Sequence, residues 1–406
     1  MNNPKLRSDI QPFPVSTGKQ RMISFLDPLR LAETGIALDL SVVPLLRMLD
    51  GAHSIGDIQL ELMHANGGNP VPVQDIEDFI RTLDESMLLE SELFFARRQA
   101  VIDEFSRAKE RRATLAGTSY EKDPERLRQC IGQAEQKLPP PDEKILSGEI
   151  LGILAPHIDI SIALDTYVDA YRYLRGRSYD LAIVLGINHN GSGGLWSVSD
   201  KDYLTPLGAL PTDRDFVAGL RSRLPEGALA ASDFDHKTEH SVEFQTVFLR
   251  HYLGDGLKIA PILCGSIHEF IHTGNDPMHD PRFLSMKQAI QDLTAERGLK
   301  TLIVSGVDFS HVGPKFGHDM PAEGILPKAQ AYDEAVISAL QEGSPENIFA
   351  RAAETKDYCN ICGLPSLLLS SWILRPCSPK FLGRKIYNEG ATRSAVTYAA
   401  MLFMKQ

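Results

Sequence analysis

The chain has 406 residues, more than one ordinary hydrophobic core accommodates and enough for two domains. Its 42 Lys+Arg against 53 Asp+Glu leave a net charge of −11, which argues against nucleic acid or an anionic membrane surface as a partner. No stretch approaches the roughly 20 apolar residues of a membrane span. The first twenty residues lack a signal-peptide core, and five Cys are too few for a disulfide framework, so a cytoplasmic protein with free thiols is expected.

Residues 1–95 read as a small, mainly helical domain. "LSVVPLLRMLDG" is apolar at helical spacing and stops at Asp50-Gly51, a helix-end signal. Ser54 is expected to cap "IGDIQLELM", with Asp57 favourably placed near the start of the helix. Val73, Ile76, Phe79, Ile80, Leu83 and Met87 mark one face of another helix, and "MLLESELFF" reads as a short strand or wing. That order predicts a winged-helix-like α+β module. Its second helix, "VQDIEDFIRTLDES", is acidic and would be repelled by phosphate, so DNA binding is not expected. The stretch "LLRMLDGAHSIGDIQLEL" resembles the PqqD-like family of small peptide-binding modules, which implies a peptide as a partner. Residues 96–148 begin charged and helical and pass through "KLPPPDEK", whose three prolines favour a stiff linker.

Residues 149–406 change character. "EILGILAP", "DLAIVLGIN", "LKIAPILCG" and "KTLIVSGVD" are short apolar runs. Between them lie the helical patterns "LDTYVDAYRYLR", "SVEFQTVFLRHYL", "LSMKQAIQDLTAE" and "KAQAYDEAVISALQ". Strands alternating with helices predict an α/β sheet flanked by helices, and continuous apolar runs fit strands buried on both faces. Ligands in such sheets bind off the carboxyl ends of the strands.

Three of these runs end on polar residues: Pro156-His157-Ile158-Asp159, Asn188-His189-Asn190 and Asp308-Phe309-Ser310-His311. If the strands are parallel, all three imidazoles reach one edge of the sheet, as a metal or catalytic site requires. "HKTEHSVEFQ" adds Glu239, His240, Glu243 and Gln245, with His240 at a helix N-terminus whose dipole favours neutral imidazole. "DYCNICGLPS" adds Cys359 and Cys362, the latter at a helix start, where a thiol is biased toward thiolate. Ten of the twelve histidines fall between 157 and 318, which favours a site over scattered surface use. His236, His251, His268, His272, His279 and His318 are assigned to ordinary structural hydrogen bonding. Cys130, Cys264 and Cys377 read as ordinary thiols. The glycine-rich "GINHNGSGGLW" lacks a nucleotide-binding pattern and reads as a mobile loop bordering the pocket.

"APHIDI", "GINHNG", "TEHSVEFQTVFL", "VSGVDFSHVGPKFG", "NICGLPS" and "ATRSAVTYAAMLF", in that order, resemble the Memo family, known in bacteria as AmmeMemoRadiSam system protein B. The resemblance covers 149–406 and implies a fold similar to the class III extradiol dioxygenases, which use non-haem iron. It implies metal ligands at His157, His189 and Cys362, with His240, Asp308 and His311 as acid/base groups around them. It also implies radical-SAM and AMMECR-type partners. The family often carries Gly-Tyr where this chain has Ile158-Asp159, and a His pair where it has His189-Asn190. Two imidazoles and a thiolate suit Fe(II), Cu or Zn and suit Mg or Ca badly. On this reading His311 is the general base, oriented or charge-stabilised by Asp308, and His240 polarises oxygen or substrate. The expected function is a dioxygenase-like, metal-dependent oxidoreductase. The alternative is a non-catalytic accessory protein that binds a metal or a peptide in the same pocket.

Overall fold

Ile150–Ala155, Thr301–Gly306, Leu181–Ile187 and Lys258–Cys264 are apolar without alternation because both of their faces are covered. The computed structural model describes residues 2–17, 20–32, 36–189, 191 and 193–406. In it these four strands lie side by side, in that order and parallel, with Ala155 opposite Gly306 and Cys264 opposite Ile187. Their carboxyl ends are therefore level. Antiparallel strands flank the parallel core: Ser394–Met404 beside Ile150–Ala155, and Trp196–Val198 beside Lys258–Cys264. Ser378–Glu389 and Asp308–Val312 pair with Ser394–Met404 and complete an eight-stranded mixed sheet.

Side chains alternate between two cores. Leu181, Ile183, Leu185 and Ile187 enter one, together with helices Arg214–Arg223, Pro281–Glu296, Ala322–Gln341 and Leu364–Ile373. Ala182 and Val184 enter the other, with helices Ile160–Tyr171 and His240–Leu253. The expected sheet flanked by helices is the observed one; three of the four helical patterns read from the sequence fall within a helix, and the fourth, 164–175, runs past the end of helix Ile160–Tyr171. One boundary differs. "TLIVSGVDFSHVG" does not end as a polar tail, because Asp308–Val312 is itself a strand, antiparallel to Ser394–Met404.

The chain divides into two compact units, Met1–Arg107 and Ala108–Gln406. In the first, Ser54 and Asp57 form a reciprocal cap on helix Ile55–Ala65, and Ile76, Ile80 and Leu83 are the buried face of helix Val73–Glu85. This unit also holds a three-stranded sheet, Gln11–Thr17, Gln20–Leu26 and Ala37–Asp39, that the helical reading missed. "MLLESELFF" is not a wing. Leu89 makes one isolated bridge to Leu6, and Glu92–Arg107 is a helix that buries Phe94, Val101 and Phe105.

Residues 108–148, read from the sequence as part of a linker, belong to the second unit. Leu127 and Ile131 of helix Pro124–Lys137 lie in the same core as Ile160–Tyr171. Arg111, fully buried, ion-pairs with Glu243 and donates to the carbonyls of His236 at 3.0 Å and Glu239 at 2.8 Å. Glu243 also accepts from Tyr120 Oη at 2.6 Å and from the Leu115 N–H at 3.0 Å.

Removing one partner of a buried pair strands the other charge. Arg111→Met should therefore destabilise the larger unit by about 3–5 kcal/mol, read as a lowered guanidinium midpoint.

Candidate metal centre

Level strand ends bring the predicted residues together. His157 and His189 each lie two residues beyond a parallel strand, after Ala155 and Ile187. The two cores then each send a helix start to this edge: His240–Leu253 from one, and Leu364–Ile373, just after Cys362, from the other. The first helix approaches closely because the adjoining strand positions are glycine. A Cβ on Gly186 would sit 2.6 Å from Ser241 Oγ, and one on Gly306 would sit 2.7 Å from the Ser241 carbonyl. As a result the rings of His157, His189 and His240 lie 5.0–5.4 Å apart, centroid to centroid.

The orientation of two of these rings is fixed by hydrogen bonds. His157 Nδ1 faces the Gly306 carbonyl at 2.9 Å, and His189 Nδ1 faces both oxygens of Glu239 at 3.1 Å. A carbonyl or carboxylate accepts, so each Nδ1 carries the proton and each Nε2 keeps its lone pair. Cys362 Sγ stands 3.3 Å from His157 Nε2, and donor atoms of His157, His189 and Cys362 all lie within 4.8 Å of one another. Nitrogen and sulfur bonded to one tetrahedral ion at ordinary lengths are about 3.5 Å apart. The three residues thus fit a transition metal, with the second nitrogen of each imidazole already anchored.

A second grouping, His189, Glu239 and His240, is as compact. Its carboxylate is already engaged: Glu239 accepts from the backbone N–H of His189, His240 and Ser241 as well as from His189 Nδ1. Glu239 therefore orients the His189 imidazole, and its Oε1 also stands 3.2 Å from His240 Nδ1. Burial pushes its carboxyl up, but His189, His240 and these N–H groups outweigh it and hold the acid well below its ordinary range. The sequence offered Glu239 as a polar residue without showing this role, which depends on its contact with residues fifty positions away.

Burial dominates the other titrations. It pulls His157 down to about 3 and His240 and His311 down to about 4, so these imidazoles are neutral. For His189 burial also acts downward, but Glu239 outweighs it and raises the group. The Cys362 thiol is pushed well up by burial and next by the Asp308 carboxylate. The helix start does not make it a thiolate, because an uncompensated charge in that enclosure costs more than the dipole returns.

Asp308 accepts the His157 N–H at 2.9 Å and places Oδ2 3.6 Å from His157 Nε2; burial raises its carboxyl. It does not orient the His311 ring by a hydrogen bond, but its charge favours the imidazolium there against the larger effect of burial. The Nδ1 of that ring faces the carbonyls of Phe309 at 2.9 Å and Asn360 at 3.2 Å, leaving Nε2 for chemistry. His311 lies outside the group of donor atoms that could share an ion. His236 and His318 are structural as expected, bonded to Tyr203 Oη and to the Tyr358 carbonyl. His268 is different. With His189 and Cys362 it lines a cavity of about 200 Å³. Of the glycine-rich loop, Asn188 and His189 border this cavity, while Asn190 and Ser192 lie outside the described residues.

Known proteins share this arrangement of sequence. The family model described as "Memo-like protein" matches residues 111–402. A MEMO1 family protein of Aquifex aeolicus is 30% identical over 406 residues, spanning 98% of this chain and 99% of its own. A MEMO1 family protein of Methanosarcina barkeri is 25% identical, spanning 72% of this chain and 99% of its own. One of Methanopyrus kandleri is 26% identical, spanning 57% and 80%.

Neutral buried imidazoles set the pH response of the metal-free protein. Unfolding releases His157 to its ordinary value near 6.5, so between that pH and about 3 the unfolded chain binds a proton that the folded one refuses. Its stabilising contribution is complete above pH 6.5 and falls by up to about 1.4 kcal/mol per unit as pH drops. Denaturation midpoints should decline from pH 7 to pH 5, and His157→Asn should flatten that decline.

Proposed function

Because the chain belongs to the Memo family, we propose that its second unit is a metal-dependent oxidoreductase centre with His157, His189 and Cys362 as ligands. The convergence of two Nε2 lone pairs and one thiol sulfur, each imidazole locked through its other nitrogen, carries this reading. Fe(II) is the ion we favour, with Cu or Zn as alternatives, and an iron bound there would supply redox and dioxygen chemistry of the dioxygenase type.

The protein's own groups have separable tasks. Glu239 and the Gly306 carbonyl orient the ligand imidazoles. A cation at the site would lower the Cys362 thiol, since the charge missing from that enclosure would then be present. His311 keeps Nε2 as a basic nitrogen within a buried setting, and is proposed to take the substrate proton. His240, neutral and ring-stacked on His189, is proposed to donate toward a developing negative oxygen. Radical-SAM and AMMECR-type proteins are proposed as partners on the family resemblance.

Anaerobic purification and elemental analysis test the ligand set. Wild type should hold close to one transition-metal ion, and the double variant His157→Ala, Cys362→Ala should hold none. Retained stoichiometric metal in that variant would refute the assignment. Glu239→Gln should weaken metal affinity about 10–100-fold without removing a ligand, measured by chelator competition. Gly363→Ala should also release metal, because a Cβ there overlaps Val307 Cγ1 and meets the Asp308 carbonyl at 3.0 Å, displacing Cys362.

A further inference from the structure

The cavity that shares His189 and Cys362 with the metal centre has a second polar feature that the proposed chemistry does not use. Most of its wall is apolar, formed by Ile187, Ile267, Ile361, Leu364 and Pro365. Its volume of about 200 Å³ compares with the roughly 150 Å³ of a cavity that takes benzene, so it fits a molecule somewhat larger than one ring. Besides His189 and Cys362, its titratable residues are His268 and Asp357.

These two form a pair. Asp357 is buried, and its Oδ1 accepts from the Ile361 N–H at 3.0 Å and from Tyr332 Oη at 3.4 Å. Its Oδ2 lies 3.6 Å from His268 Nε2, an ion-pair distance. The His268 side chain remains 61% exposed. Pairing with Asp357 raises the imidazole against the smaller downward pull of burial, which favours the cation. Asp357 is thus occupied by groups of the protein, while His268 still has donor capacity. Asn188 Oδ1, in the same wall, is buried with no hydrogen-bond partner among the described residues; as an acceptor it can take a donor group of a ligand but not a carboxylate, which leaves the anion to His268.

We propose that this cavity is the substrate pocket of the metal centre and that His268, held by Asp357, selects small, flat molecules bearing a carboxylate. The proposal rests on the metal-centre reading for the word substrate, and not for the binding itself. The carboxylate meets the imidazolium in a charge-assisted hydrogen bond, and the ring lies between the apolar walls. A neutral isostere keeps the apolar contact and loses the charged one.

Calorimetric titration with benzoate and with benzamide, on metal-loaded and on chelator-stripped full-length protein, tests this. Benzoate should bind about ten-fold more tightly than benzamide in both forms. His268→Gln should abolish that preference in both forms while leaving benzamide binding unchanged, and His268→Lys should restore it. Equal binding of the two probes by wild type, no binding of benzoate, or a preference that survives His268→Gln overturns the proposal. A preference seen only with metal loaded, and kept in His268→Gln, assigns the carboxylate to the ion and also overturns it. Failure of the metal-centre reading looks different: no metal is taken up, yet the His268-dependent preference persists in the stripped protein.

Discussion

One buried carboxylate organises the edge of the sheet where the candidate metal ligands meet. Glu239 ends the approach to a helix, caps it through the N–H groups of His240 and Ser241, and takes both the backbone and the ring N–H of His189. A single side chain therefore joins the end of one strand to the start of a helix from the covering layer. Without it, four N–H groups would lose their acceptor and the His189 ring its fixed tautomer. Across that junction His189 and His240 stack at 5.0 Å, and His157, oriented separately by the Gly306 carbonyl, stands edge-on to both.

The surrounding fold serves the junction by being rigid. Four parallel strands with level ends fix the starting points of the polar segments to within the tolerance of a hydrogen-bond ladder. The glycines at 186 and 306 allow the helix to come down onto those strands. The site is dry enough that burial, rather than helix dipoles, decides which groups are charged. His157, His240 and His311 stay neutral, Cys362 stays protonated without a cation, and Glu239 is charged because it is surrounded by donors. A pocket holding neutral imidazoles and a suppressed thiolate is one in which an added cation gains much and a proton gains little.

The larger features were legible in the sequence for a physical reason. Strands buried on both faces must be apolar throughout, so their ends are marked by the first polar residue. That alone located His157, His189, Asp308 and His311. Cys362 stood out at a helix start, the six ordered motifs implied its role as a ligand, and the family match covers the same residues. Roles that depend on contact were not legible. Asp308 stands three residues before His311, which suggested a pair, but its Oδ1 takes the His157 backbone N–H while the His311 ring is held by the Phe309 and Asn360 carbonyls, so across the bulge between them only the charge interaction remains. His268 reads in the sequence as one more structural hydrogen-bonder, because its partner, Asp357, is 89 positions away. The missed strands near the N-terminus, with Phe13 and Leu26 largely exposed, bury too little to show a clear alternation.

The buried link from Arg111 to Glu243 has a further consequence for where the second unit really starts. Every residue proposed to touch metal or substrate lies after position 156, yet the helix that Glu239 caps and that carries His240 and Glu243 is pinned by the Arg111 and Tyr120 side chains and the Leu115 N–H. The frame that holds the proposed site is thus longer than the stretch supplying its side chains: it reaches back some forty residues before the first strand of the parallel core.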